Sequence, residues 1–387
     1  MSPQSLSRSS TREHRFWGAL DTAGRAIHAG PMAAREMPDR VLVAMSGGVD
    51  SSVAAALLRE AGHDCVGVTL HLWDASGDAK VGRCCAPEDR DDARRTCEVL
   101  GIPHYVIDER AAFRERVVAP FVRAYASGTT PAPCVLCNQD VKLATLAALA
   151  DDLGCGSIAT GHYAQVHRDA AGAPTLSRGA DPKKDQSYFL FGVPDPILAR
   201  LVLPLGALTK PETRAHGKRL GIPSWDKKDS QELCFVSDGD VGRFLASEGA
   251  PLAPCVVRTE AGDTLGRHDG THALTVGQRR GLSLGGGPAR YVLRVLGGGR
   301  EVVVGGEAEL VGERLAVAEA RWIGAAPTAP FEASVQIRHH HTPGRARIEP
   351  TERGFSAHFL DPQRAIAAGQ AAVVYDGAQV RGGGIIS

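Results

Sequence analysis

An apolar run, Val41-Leu42-Val43-Ala44-Met45, leads directly into Ser46-Gly47-Gly48-Val49-Asp50-Ser51-Ser52, and that string into the Ala/Leu-rich stretch from Val53 to Glu60. The three pieces read as a buried strand, a tight turn and a helix that stops near Gly62. Two adjacent glycines let the backbone turn sharply and approach a ligand closely. A helix start offers free N–H groups and a positive dipole end, and the serines add hydroxyl donors, so the turn is an anion cradle. It lacks the lysine that follows the glycines in loops cleaving a γ-phosphate. A site that grips pyrophosphate, and so splits ATP to AMP, suits it better. A Gly-Gly turn alone would be ordinary helix capping; the whole string between strand and helix is more specific.

Further strand-like runs at Val66–Leu72, Tyr105–Ile107 and Ile158–Thr160 alternate with helix-like runs at Asp89–Leu100 and Val141–Leu153. Such alternation predicts an α/β fold, a parallel sheet with helices on both faces. Residues 205–250 look helical and polar. Beyond about residue 265 the chain is Gly-rich with short β-like runs at 291–293, 302–304, 334–337 and 372–375, the pattern of a small β-barrel. The expected organisation is a disordered extension over 1–36, a phosphate-loop domain over 37–205, a small central domain over 206–280 and a C-terminal β-barrel domain over 281–387. A length of 387 residues suits several domains. Lys plus Arg and Asp plus Glu are 44 each, which excludes a uniformly basic coat for nucleic acid. A local excess remains: residues 177–230 hold ten Lys/Arg against six acids. No apolar run approaches the ~20 residues that span a bilayer, and no signal peptide is visible, so a cytoplasmic protein with no membrane partner is expected.

Nine cysteines, an odd number in a long chain, argue against a disulfide scaffold. Cys134-Val135-Leu136-Cys137 is stiffened by Pro131 and Pro133 and opens a predicted helix, where a thiol pKa is lowered. Cys234 is distant in sequence but able to approach. Structural zinc lacks a second well-spaced pair. Inert burial suits Cys65, Cys155 and Cys255. A reactive set of Cys134, Cys137 and Cys234 would handle sulfur or bind a cluster. Cys84, Cys85 and Cys97 stay ambiguous, with a structural role favoured. His339-His340-His341, taken as strand residues, alternate between faces and cannot share one ion. They read as a basic, partly protonated RNA-facing patch or as plain surface.

The glycine loop resembles the pyrophosphate-binding loop of the N-type ATP pyrophosphatases. Other strings follow in order: Pro133-Cys134-x-x-Cys137-Asn138, Ala159-Thr160-Gly161-His162-Tyr163-Ala164, Lys183-Lys184-Asp185-Gln186-Ser187-Tyr188-Phe189-Leu190, His268-Asp269-Gly270-Thr271-His272, Thr275-Val276-Gly277-Gln278-Arg279-Arg280-Gly281-Leu282 and Gly382-Gly383-Gly384-Ile385-Ile386. Together, from about Arg40 to the C-terminus, they resemble the tRNA-specific 2-thiouridylase family. The resemblance implies a tRNA-uridine 2-sulfurtransferase of pyrophosphatase-domain, linking-domain and β-barrel build, acting as a monomer. Its activity would be ATP-dependent 2-thiolation of the wobble uridine of Lys, Glu and Gln tRNAs. ATP adenylates the C2 oxygen, then a persulfide sulfur, supplied through a small sulfur-carrier protein or cysteine desulfurase relay, displaces AMP.

Carried over residue by residue, the resemblance makes Cys234 the persulfide carrier and Cys137 the second catalytic thiol, joined in a transient disulfide. ATP would touch Ala44, Met45, Ser46, Gly47, Gly48, Val49, Asp50, Ser51, Leu70 and Gly161, with Mg²⁺ held through ATP and Asp50. The target base would meet Ala132, Pro133 and Cys134. The tRNA would be held by His162, Lys184, Asp185, Gln186, Arg338, His339 and Gln370. A rival mechanism in the family uses a [4Fe–4S] cluster, for which the ligands would be Cys134, Cys137 and Cys234. Family members often read Arg-Thr-Pro-Asn-Pro before the first cysteine. Thr129-Thr130-Pro131-Ala132-Pro133 lacks the Arg and the Asn, so contacts made by Ala132 should be backbone ones.

Overall fold

The computed structural model describes residues 40–74, 87–228, 233–236, 239–250, 253–282, 284–285, 287–296, 298 and 300–387. The expected extension at 1–36, the Cys84-Cys85 pair and residues 229–232 ahead of Cys234 lie outside these.

Strands β1 (Arg40–Ala44), β2 (Asp64–His71), β3 (His104–Asp108), β4 (Ser157–Ala159) and β7 (Leu201–Val202) form a sheet in the order β3-β2-β1-β4-β7. Every pairing in it is parallel. Helices α1 (Val49–Glu60), α2 (Pro87–Leu100), α3 (Arg110–Phe113), α4 (Ala119–Ser127), α5 (Pro133–Leu136), α6 (Leu143–Asp152), α7 (Asp195–Leu198) and α8 (Lys210–Arg219) accompany it. A strand buried on both faces needs apolar residues, and central β1 has them from Val41 to Ala44, with Arg40 at its half-buried start. Alternation sends Leu42 into one core with Val66, Leu143, Leu146 and Ile158, while Val41 and Val43 enter another with Met45, Ala55, Leu58 and Cys97. This is the expected α/β layer.

The hairpin β5 (Ala164–Arg168) and β6 (Pro174–Arg178) was not legible beforehand. Helix α9 (Val241–Ser247) precedes a four-stranded sheet of β8 (Cys255–Thr259), β9 (Thr264–His268), β10 (Tyr291–Leu296) and β11 (Glu301–Gly305), ordered β10-β11-β8-β9. The expected boundary at 280/281 falls inside this sheet. Within residues 205–250 the described helices are α8 and α9 alone.

The last unit holds β12 (Val311–Trp322), β13 (Phe331–Gln336), β14 (Gly344–Pro350), β15 (Phe355–Arg364), β16 (Ala371–Asp376) and β17 (Gln379–Ile386). They run β12-β15-β14-β13-β16-β17, and a β12–β17 pairing closes the barrel around Leu315, Val335, Ile348, Phe355 and Val374. β17 also pairs with β6, Val380 opposite Leu176, so the hairpin extends the barrel's sheet. Among the described residues no helix is long and apolar enough to cross a membrane.

Candidate active site

Helix α1 starts at the glycine turn. Its N-cap, Gly48, is extended (φ −86°, ψ 164°) and makes no side-chain cap hydrogen bond. The first-turn N–H groups of such a helix suit an anion. Gly47 has φ +73°, and a Cβ there would lie 1.9 Å from the Asp89 carbonyl oxygen, so only glycine fits. Ser51 Oγ accepts from the Ser46 N–H at 3.1 Å and donates to the Gly48 carbonyl at 3.2 Å, tying the turn to itself. Gly161 packs against the helix start, where a Cβ would come within 2.6 Å of the Ser51 nitrogen. The string from Ala44 to Ser51 and Gly161 therefore meet. Leu70, on the adjacent strand, bridges two core clusters beside them.

The lysine missing from the turn arrives from elsewhere. Lys210, in the first turn of α8, places Nζ 2.7 and 2.9 Å from the two carboxylate oxygens of Asp50. Its side chain is only 10% exposed. The Tyr163 hydroxyl donates to Asp50 Oδ1 at 2.8 Å and lies 3.0 Å from Thr213 Oγ1. Thr209 caps α8 through a reciprocal capping box with Glu212. A cation in a first helical turn opposes the helix dipole. Asp50 offsets this, as does Asp181, which accepts the Lys210 backbone N–H at 3.0 Å. That hydrogen bond holds the Asp181 carboxyl below its ordinary range. Sequence reading missed Lys210; the available signal was Thr209-Lys210-Pro211-Glu212, a capping box with a cation inside it.

Lys227 performs a second clamp. Its Nζ donates to Asp89 (2.5 Å), Asp92 (2.6 Å) and the Gly47 carbonyl (3.3 Å), joining the first turns of α2 to the glycine turn. Burial works against its charge, yet the hydrogen bonds to Asp89 and Asp92 prevail and its pKa is raised. Two lysines of the local basic excess thus serve inside the site.

Cys134 is exposed, Cys137 buried and Cys234 half-buried. Pro133 opens α5, and a wider helical turn over Cys137–Lys142 turns Cys137 into an apolar cluster with Leu72, Phe113, Phe121, Phe235 and Phe244. Leu70, Trp73 and Cys234 pack against that same cluster. Phe235 anchors it, with ring centroids 5.0 Å from Phe121, 5.2 Å from Phe244 and 5.7 Å from Phe113. The cluster caps the C-terminal end of β2, beside the turn that follows parallel β1, where open α/β sheets hold their ligands. Cys65, Cys97, Cys155 and Cys255 are buried, and burial pushes Cys65 up to about 11 and Cys97 to about 12. Burial and a raised pKa suit these thiols to packing. Among the described residues no three His, Cys, Asp or Glu side chains gather as a metal requires.

The residues expected to hold RNA are spread more widely. His162 is half-buried, with Nδ1 2.8 Å from Thr160 Oγ1. Burial first, then nearby Lys142, pushes its pKa down to about 3, so the ring is neutral. The Asp185 carboxylate accepts from Arg178 (2.7 Å) and from the Gly179 and Ser187 N–H groups, and Gln186 Oε1 accepts the Tyr163 N–H at 3.0 Å. Acid and amide shape the loop that presents Lys184. Arg338 to His341 form a turn after β13, with His340 at φ +63°, which corrects the strand reading of the triplet. Burial lowers the His339 and His341 pKa values, which works against protonation of these two rings. The positive charge there comes from Arg338, Arg345 and Arg364, which line a cavity of about 630 Å³ together with Asp361. Gln370 lies against residues 130–131, just ahead of Cys134.

Residues 39–238 match the family described as tRNA methyl transferase HUP domain, residues 242–306 the tRNA methyl transferase PRC-barrel domain and residues 313–386 the aminomethyltransferase beta-barrel domain. The chain is similar to the tRNA-specific 2-thiouridylase MnmA of Sorangium cellulosum (strain So ce56), 48% identical over 355 residues that cover 90% of this chain and 92% of that one. It is 45% identical to the protein of the same name from Magnetococcus marinus, over 90% of this chain and 99% of that one. Among solved structures it is similar to a 4-thiouridine synthetase–RNA complex with bound ATP, at 14% identity and a TM-score of 0.32, covering 55% of this chain and 50% of that one.

Proposed function

The chain belongs to the tRNA-specific 2-thiouridylase family, and from that premise we propose that it replaces oxygen by sulfur at C2 of the wobble uridine in Lys, Glu and Gln tRNAs. ATP lies along Ala44 to Ser51, Leu70 and Gly161, its phosphates on the start of α1. Mg²⁺ brought with ATP would neutralise phosphate charge beside Asp50, and Lys210, whose Nζ meets both Asp50 carboxylate oxygens at 2.7 and 2.9 Å, would add positive charge at the same place. The uridine O2 attacks the α-phosphorus and pyrophosphate leaves, so a poor leaving group becomes a good one. The outer sulfur of a Cys234 persulfide then attacks C2 and AMP departs. The Cys137 thiolate attacks the inner sulfur, freeing the C2 sulfur as thiouridine and leaving a Cys137–Cys234 disulfide. An external thiol reduces that disulfide, and a persulfide donor reloads Cys234.

The observation that carries this reading is the shared packing of Cys137, Cys234 and Leu70 on one apolar cluster beside the glycine turn. The partly exposed Cys234 suits a sulfur carrier that a donor must reach. A [4Fe–4S] cluster on Cys134, Cys137 and Cys234 is the alternative sulfur handler. The experiment below puts the persulfide step to the test.

The test is reconstitution with ATP, a persulfide donor and unmodified wobble-uridine tRNA, reading AMP and thiouridine. Wild type should form both, and Cys234→Ser should form no thiouridine while still binding ATP. Normal thiouridine yield from Cys234→Ser would refute the role of Cys234.

A further inference from the structure

The Thr130-Pro131-Ala132-Pro133 segment that leads to Cys134 is poorly equipped to hold itself. Two of its four residues lack an N–H, so it cannot join a sheet ladder, and its carbonyls need donors from outside. On one side Thr129 is fixed to the end of α4, its N–H and hydroxyl donating to the Ala124 carbonyl at 2.9 and 3.0 Å. On the other side the donors come from the C-terminal barrel, some 240 residues away.

Gln370 Nε2 donates to two successive carbonyls, Thr130 at 3.1 Å and Pro131 at 3.0 Å. The Thr130 N–H donates to the Ala368 carbonyl at 3.0 Å. Between them Gly369 sits at φ +89°, and a Cβ there would meet the Thr130 backbone oxygen at 2.7 Å. The contact is backbone against backbone and excludes any side chain. The turn that makes it is fixed to β17, because the Gly369 N–H donates to the Ile386 carbonyl and the Ile386 N–H to the Gln370 carbonyl, both at 2.8 Å.

The geometry points to Gln370, with Gly369, as a positioning residue: the barrel turn at 367–370 is a strut that sets the Ala132–Cys134 loop and, through α5, the depth of Cys137. The barrel is then part of the apparatus that aligns base and thiols, and not merely a platform for RNA. The role of Gln370 becomes one of holding protein backbone. This rests on the reading above that Ala132, Pro133 and Cys134 meet the target base.

Three variants of the full-length enzyme test it: Gln370→Ala, which removes the donor; Gln370→Glu, which sets a carboxylate against two carbonyls; and Gly369→Ala, which forces the turn away while Gln370 keeps its side chain. Misplacing a reacting loop by about an ångström lowers turnover by about tenfold to hundredfold, so kcat for thiolation should fall by that much. KM for tRNA should stay within about twofold, because docking on the rest of the molecule is intact. A second readout needs no activity. Peptide-resolved iodoacetamide labelling of RNA-free protein should change its rate at Cys134 in each variant, while buried Cys65 and Cys97 stay unlabelled, which reports an intact fold. A raised KM with unchanged kcat and unchanged Cys134 labelling would overturn the strut and make Gln370 a direct RNA contact. If wild type forms no thiouridine, the proposed function fails, and the labelling experiment still decides the strut.

Discussion

The glycine turn and the cysteine cluster sit side by side, yet they are held by opposite means. Around the turn every clamp is polar: Lys210 and Tyr163 on Asp50, Lys227 on Asp89, Asp92 and Gly47, Ser51 on the turn itself. Around Cys137 and Cys234 the packing is aromatic and aliphatic, on Phe113, Phe121, Phe235 and Phe244. Hydrogen-bonded ion pairs fix direction, which a fixed anion site needs before its ligand arrives. Apolar packing is less directional and lets side chains change partners, which would suit the proposed relay in which two thiols separate, accept sulfur and rejoin. One half of the site is preorganised and the other adaptable.

The contrast can be broken most sharply at Lys210. Lys210→Met should lower AMP formation about hundredfold, the usual effect of removing one preorganised charge from a transition state, with KM for tRNA unchanged. An unaltered adenylation rate would remove Lys210 from the chemistry. Phe235→Ala strikes the other half. Truncating a buried aromatic ring costs about 3–5 kcal/mol, so the urea midpoint should drop markedly, and thiolation should suffer more than ATP binding. If ATP binding falls first, the two halves are not separable.

A pH scan sharpens the comparison further. Burial holds His162 neutral, with a pKa near 3 against 6.5 for a free ring. An unfolded chain therefore binds a proton that the native one refuses between these values. The corresponding stability is complete above about pH 6.5 and is lost as pH falls toward about 3. His162→Asn should flatten that acid limb in urea titrations, and an unchanged limb would mean the ring titrates normally. The smallest effect concerns salt. Replacing a phosphate-contacting lysine reduces the slope of log affinity against log salt by about 1. Lys184→Met should do this for tRNA binding, whereas Lys227→Met should leave the slope alone because its ammonium is clamped internally. Equal slopes for both variants would erase the distinction.

What could be read beforehand follows the same divide. β1 announced itself because a strand buried on both faces needs apolar residues, and the turn because nothing but glycine fits at Gly47. Strands β10 and β11 of the four-stranded sheet and β13 and β16 of the barrel were visible as short apolar runs. The β5–β6 hairpin was not, since Gln165, His167 and Thr175 carry no steady alternation and the partner that stabilises it is β17. Lys210 was not singled out, because its value depends on Asp50, 160 residues earlier. The histidine triplet was taken for strand when Pro343 and the positive φ of His340 make it a turn. The first two misses are contacts between distant segments, which local pattern cannot register; the third is a local turn that the strand reading overlooked.

The β6–β17 pairing also governs how such a chain is made. Ribosomes release the β5–β6 hairpin about 200 residues before the strand that completes it. Throughout that interval the nascent protein carries an open strand edge, the kind of surface that invites pairing with the wrong partner. The parallel sheet that carries the glycine turn is complete once Val202 is made, but the β5–β6 edge must wait for the last strand of the chain to be covered.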